Sequence, residues 1–157
     1  READGIFACS GILFNHESPR RNPIFLPKKI TRSAARIKLG LEKELKLGDI
    51  NAKRDWGFAG DYVEAMRLML QAEKPEDYVI GTGVIHSVSD ILGVAFREVG
   101  LDWKKYVVVD ENLVAQPEPY PIVANISKIK KELGWQPKTE FKELIKTMVR
   151  EDLRLAA

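Results

Sequence analysis

Apolar and polar positions follow two rhythms along this chain, one suited to buried strands and one to amphipathic helices. The run Ile6-Phe7-Ala8-Cys9-Ser10-Gly11-Ile12-Leu13-Phe14 is nearly continuous in apolar residues and has no helical stripe. That is the pattern of a strand covered on both faces of a parallel sheet. After the polar loop from Asn15 to Pro23, Leu26, Ile30, Ala34 and Ile37 recur at helical spacing up to Gly40, which predicts a helix with a glycine stop. A short strand over Leu45 to Leu47 leads into a loop from Gly48 to Gly57. Tyr62, Ala65, Met66, Met69 and Leu70 then mark a second helix, and Tyr78-Val79-Ile80 a strand. Ser87 and Asp90 have capping-box spacing ahead of Val88, Ile91, Leu92, Ala95, Phe96 and Val99, with Gly100 closing that helix. Tyr106 to Val109 reads as a strand and Asp110 to Pro121 as a proline-containing loop. A short helix from Ser127 ends at Gly134, and a last helix carries Phe141, Leu144, Ile145, Met148, Val149 and Leu153. The order of elements is α/β without repeat or internal linker, so residues 1–157 are expected to form a single domain.

Composition narrows the function classes. With 45% apolar and 31% charged residues, the chain belongs among globular proteins with a real core. A formal charge of +2 is too small to recruit nucleic acid or an anionic membrane, so any anion site must be local. The single cysteine, Cys9, cannot form an internal bridge. It fits a reducing compartment, and with no signal peptide and no apolar stretch of membrane-spanning length the expected location is the cytoplasm. The opening Arg1-Glu2-Ala3-Asp4 reads as the tail of a helix, so an upstream segment is expected.

Candidate chemistry is sparse. Between Ser18 and Lys38 lie Arg20, Arg21, Lys28, Lys29, Arg32, Arg36 and Lys38 with no carboxylate among them. Such a stretch is either a solvated helix face or a phosphate site, since Arg offers a planar fork and Lys a compact charge to phosphate oxygens. Arg54, beside Trp56 and Gly57, is a second basic group in a loop. Gly81-Thr82-Gly83 follows a strand but has His86 where a dinucleotide fingerprint needs its third glycine, which favours a plain turn. His16 and His86 have no cysteine or carboxylate partners at metal-ligand spacing, so no metal site is expected. None of the tyrosines has a lysine four residues on, which excludes a local Tyr-x-x-x-Lys pair, and no catalytic residue can be assigned.

The segment Gly11-Ile12-Leu13-Phe14-Asn15-His16-Glu17-Ser18-Pro19-Arg20-Arg21 closely resembles one found in GDP-mannose 4,6-dehydratases, of the extended short-chain dehydrogenase/reductase family. The likeness continues through Lys29-Ile30-Thr31-Arg32-Ser33, Asp49-Ile50-Asn51-Ala52-Lys53-Arg54-Asp55-Trp56-Gly57 and Asp61-Tyr62-Val63-Glu64-Ala65-Met66. It extends more weakly to Lys131-Glu132-Leu133-Gly134-Trp135. The resemblance implies the C-terminal part of such an enzyme, a Rossmann-sheet strand plus a small α/β substrate-binding lobe. The NADP-binding glycines and the catalytic Tyr-x-x-x-Lys, Thr and Glu of the family belong to the segment before residue 1.

What the resemblance carries over is binding. His16 and Arg21 match cofactor-contacting positions, Asn15 a position touching the sugar nucleotide, Lys29 and Arg54 positions holding GDP, and Glu118 a carboxylate near the nucleoside. The implied reaction converts GDP-mannose to GDP-4-keto-6-deoxymannose on the way to GDP-fucose. A hydride leaves C4 for NADP, a base removes the C5 proton, water departs from C6 and the hydride returns there. One departure is Ala115, three residues before Glu118, where the family carries an Arg. The implied partners are GDP-mannose and further copies of the protein, or association through an exposed sheet edge. The other readings are a related nucleotide-sugar reductase or epimerase and a non-catalytic nucleotide-sugar-binding module.

Overall fold

The computed structural model describes residues 1–114 and 122–157. Along them run β1 (Gly11–Leu13), β2 (Asn15–Glu17), α1 (Leu26–Lys38), β3 (Leu45–Leu47), β4 (Lys53–Arg54), β5 (Trp56–Phe58), α2 (Ala59–Met69), β6 (Tyr78–Ile80), β7 (His86–Ser87), α3 (Val88–Glu98), β8 (Val107–Val109), α4 (Ser127–Leu133) and α5 (Phe141–Ala156). The helices start and stop where the chain's chemistry says they should. Pro27 occupies the first turn of α1, and Ser87 and Asp90 exchange both bonds of a capping box at α3. Gly134 ends α4 at φ 64°, a left-handed conformation that a side chain would disfavour.

Strands pair two by two among the described residues: β1 with β6, β2 with β5 and β3 with β8 in parallel, and β4 with β7 antiparallel. β1 and β2 are one extended segment that changes partner at Phe14, whose N–H donates to Ile80 O at 2.9 Å. Gly11 to Leu13 therefore lie beside Tyr78 to Ile80, while Asn15, His16 and Glu17 lie beside Trp56, Gly57 and Phe58.

Two differences from the sequence expectation have physical causes. The run from Ile6 to Phe14 forms a strand only over Gly11–Leu13, and Ile6, Phe7 and Ile12 are 56%, 47% and 57% exposed, because only β6 pairs with it. The loop from Gly48 to Gly57 contains β4 and the start of β5, which at two and three residues are too short to show a period of two.

The larger core packs α1, α3 and α5 around Ile30, Ala34, Leu92, Phe96, Leu144, Ile145 and Met148, and reaches Leu45, Leu47 and Trp56. The smaller one joins α2, β6 and α4 through Tyr62, Ala65, Met69, Tyr78, Ile80, Ile129 and Trp135. Within the larger core, Lys28 Nζ sits 2.6 Å from Asp152 Oδ1, both side chains about 5% exposed or less. Thr31 Oγ1 donates to Asp152 Oδ2 at 2.7 Å, and Lys28 also donates to Pro19 O at 2.8 Å. This network ties α1 to α5 and to the loop that follows β2.

Removing one partner of a buried ion pair leaves an uncompensated charge at a cost of about 3–5 kcal/mol, whereas an apolar pair of similar volume is often neutral. Asp152→Leu is therefore expected to lower urea stability strongly, and Lys28→Met added to it to recover most of the loss. A double variant no more stable than the single one would remove the pair from the account.

Candidate functional site

Asp55, between β4 and β5, is fully buried yet carries a carboxylate. Oδ1 accepts from Thr82 N at 2.9 Å and Thr82 Oγ1 at 2.6 Å, and Oδ2 accepts from Gly83 N at 2.9 Å and Ala124 N at 3.2 Å. The Gly81-Thr82-Gly83 turn thus curls round a side-chain carboxylate. Its N–H groups at 82 and 83 are already engaged, so the plain-turn reading of this G-x-G holds and a phosphate loop is excluded. Gly81 must be glycine for contact rather than for φ, since a Cβ there would collide with Ala124 Cβ and lie 3.1 Å from Asp55 Oδ2.

This brace sets the register of the segment beside it. Asn15 Nδ2 donates to Asp55 O at 3.4 Å, and Tyr62 O–H donates to Asn15 O at 3.4 Å. Tyr62 lies across Gly57, where a Cβ would come within 2.6 Å of its hydroxyl, and its ring is 5.6 Å from the His16 ring. Burial, followed by the charges of Asp55, Asp61 and Glu17, pushes the Tyr62 phenol upward, so it remains a neutral donor. His16 Nδ1 is 3.0 Å from Phe14 O, which assigns its proton to Nδ1 and leaves Nε2 as the free nitrogen.

Asn15, Arg21 and Arg54 come together around a pocket of about 220 Å³, walled also by Glu17, Phe25, Ala52, Trp56 and Val88. Arg54 Nη1 donates to Lys53 O at 2.7 Å. Arg21 stacks its guanidinium over the Phe25 ring, 3.5 Å from the centroid. Its Nε lies 3.2 Å from Glu17 Oε2, but the N–H is not aligned with the oxygen: the contact is an ion pair without a hydrogen bond, and both atoms are buried. Burial pushes the Glu17 carboxyl up to about 7, against the opposing pull of Arg21. The pocket is smaller than the roughly 300–1,000 Å³ of sites that enclose a whole drug-sized ligand, so it suits one anionic or sugar-sized part of a larger molecule.

The other expected residues fall elsewhere. Lys29 lines a separate groove with Pro23, Arg32, Ser33, Arg36 and Glu42, and its Nζ donates to Lys46 O at 2.9 Å. Glu118 and Ala115 lie outside the described residues. Among the described residues no group of three His, Cys, Asp or Glu side chains is placed to hold a metal, and no helix is long and apolar enough to cross a membrane. Sequence reasoning assigned no site role to Glu17, Phe25 or Asp55. The one local signal was the spacing of Glu17 and Arg21, four residues apart in the motif that carries the family resemblance.

The model of the family described as GDP-mannose 4,6 dehydratase matches residues 1–148. GDP-mannose 4,6 dehydratase 1 of Arabidopsis thaliana is 56% identical over 99% of this chain and 43% of its own length. The GDP-mannose 4,6 dehydratase of Homo sapiens is 43% identical over 99% of this chain and 46% of its own. The chain thus spans less than half the length of either relative. Among solved structures, RMD from Pseudomonas aeruginosa complexed with NADPH superposes with a TM-score of 0.90 at 19% identity, over 98% of this chain and 51% of that one. UDP-glucose 4-epimerase from Thermotoga maritima with UDP-glucose gives a TM-score of 0.78 at 22% identity, over 98% and 48%. These likenesses show an α/β fold shared with part of each structure.

Glu17 yields a pH signature. Its carboxyl is raised from 4.5 to about 7 on folding, so its contribution to stability is complete below the unfolded value and is lost as pH rises through about 7. Glu17→Gln removes that titration. The melting temperature of the variant relative to the native protein is expected to climb between pH about 5 and about 8, and a flat difference across that range would contradict the buried-acid assignment.

Proposed function

The chain belongs to the GDP-mannose 4,6-dehydratase family, and from that premise we propose that it is the sugar-nucleotide-binding half of an NADP-dependent lyase. That enzyme converts GDP-mannose to GDP-4-keto-6-deoxymannose. The observation that carries the reading is the convergence of Asn15, Arg21 and Arg54 on one partial pocket. In this reading residues 1–157 act as a single sugar-nucleotide-binding domain.

The residues suit a phosphorylated cofactor and substrate. Arg21 and Arg54 supply two cations to one small cavity, Trp56 and Phe25 give it apolar walls, and Asn15 is fixed by its bond to Asp55 O. His16 and Arg21 would hold NADP, which when bound supplies the acceptor and donor of hydride. Asn15, Lys29, Arg54 and Glu118 would hold GDP-mannose, Lys29 from its own groove. What this chain contributes is orientation: a prearranged wall against which substrate and cofactor meet in a fixed geometry. The exposed Ile6, Phe7 and Ile12 beside the edge of β1 are the apolar surface through which it would associate with a further segment or a second copy. The cytoplasm, where a lone cysteine stays reduced, is the compartment in keeping with this role.

Residues 1–157 contain neither a glycine-rich phosphate loop nor a Tyr-x-x-x-Lys pair. Purified alone with GDP-mannose and NADP, this chain is expected to form no 4-keto-6-deoxy product, and measurable product would overturn the division of labour. In the full-length protein, Arg21→Ala is expected to weaken NADPH binding, and Arg54→Ala to weaken GDP-mannose binding, each about tenfold or more as charge-assisted contacts are lost. Unchanged GDP-mannose affinity in Arg54→Ala would remove Arg54 from the substrate site.

A further inference from the structure

An exposed arginine samples many rotamers, and an anion that binds it must freeze them. Arg21 is held before any ligand arrives. Its side chain is 23% exposed, with Nε 3.2 Å from Glu17 Oε2 and its planar face over the Phe25 ring. The turn beneath it is fixed as well, since Arg21 N donates to Ser18 O at 3.0 Å. Among the described residues the guanidinium donates no hydrogen bond, so its terminal nitrogens remain available while the Nε edge is occupied by charge.

Glu17 is an expensive residue on stability grounds. Its side chain is 2% exposed, and Oε2 accepts no hydrogen bond. A buried, under-satisfied carboxylate destabilises a fold, and an apolar or amide side chain of similar size would not. Breaking a packing rule at one position beside a binding pocket is what functional constraint produces.

We propose that Glu17 is a positioning residue: with Phe25 it presets the Arg21 fork so that its terminal nitrogens meet a phosphate oxygen of the cofactor in the pocket shared with Asn15 and Arg54. This rests on reading Arg21 as a cofactor-binding residue. Glu17 touches no ligand and acts through Arg21 alone. The charged and titratable groups around it are Arg21 on the following turn, the adjacent His16, the phenol of Tyr62 from α2, and Arg54 across the pocket. A phosphate brought to Arg21 adds negative charge beside a carboxyl that already titrates near 7. Glu17 then takes a proton from the medium as the ligand binds.

Calorimetric titration of the full-length protein with NADPH, at neutral pH in two buffers of different ionisation enthalpy, reads both affinity and proton uptake. In the native protein, binding is expected to take up a fraction of a proton. Glu17→Gln is expected to abolish the uptake while thermal stability is kept or raised, and Glu17→Ala, which leaves nothing against the Nε edge of Arg21, to weaken NADPH about tenfold. A residue serving the fold alone would lower stability and leave the uptake unchanged. Phe25 is 41% exposed, so Phe25→Leu is expected to fold normally and still weaken NADPH several-fold. Adding Glu17→Ala to Arg21→Ala should cost no further NADPH affinity, because the two act as a unit. Native NADPH affinity in both Glu17→Ala and Phe25→Leu, alongside weakened binding in Arg21→Ala, overturns the positioning role and leaves the cofactor site standing. Native affinity in Arg21→Ala itself overturns the cofactor reading, and this inference with it.

Discussion

A carboxylate buried beyond the reach of water must be surrounded by donors, and Asp55 meets that demand from two distant places in the chain. Its oxygens accept from residues 27, 28 and 69 positions away. The turn after β6, the segment before α4 and the junction of β4 with β5 are thereby gathered at one point. The smaller core contains β6 and α4, while Trp56, next to Asp55, belongs to the larger one. The two cores are joined through this acid. Taking away its side chain would leave three backbone N–H groups without acceptors, a penalty larger than the gain from any single bond.

The pocket inherits its shape from that joint. Asn15 reaches the backbone oxygen of Asp55, and β2 lies in register with β5, so Glu17 stands opposite Phe58 and His16 opposite Gly57. Because Gly57 has no side chain, Tyr62 packs flat against it and supports the Asn15 carbonyl. The loop after β2 is anchored in turn by Lys28, whose ammonium serves both Pro19 O and Asp152. A pocket braced in this way keeps its side chains in a fixed geometry, which is what a site that orients a ligand requires.

Helices were legible in the sequence because their signals are local. The apolar stripes of α1, α3 and α5, the Ser87 and Asp90 box and the closing glycines all appear where the spacing placed them. The strands were less so. β4 and β5 span two and three residues, and nothing in Lys53-Arg54 announces that it pairs with His86-Ser87. The run before Gly11 was read as buried because hydrophobicity records what a segment needs and not whether this chain supplies it. Of the candidate site, Asn15, Arg21 and Arg54 were marked through family resemblance and do share a pocket, whereas Lys29 occupies its own groove. Glu17 and Asp55 received no site role because a carboxylate's meaning depends on burial and on which groups surround it, neither of which spacing reveals.

Residue-resolved hydrogen exchange of the full-length protein probes the Asp55 joint most directly. The amides of Thr82, Gly83 and Ala124 should exchange slowly in the native protein and lose protection together in Asp55→Asn, which replaces one carboxylate oxygen by a donor. Fast exchange at these three amides in the native protein, or protection that survives Asp55→Asn unchanged, would contradict the claim that one buried carboxylate holds the two cores and the pocket in register.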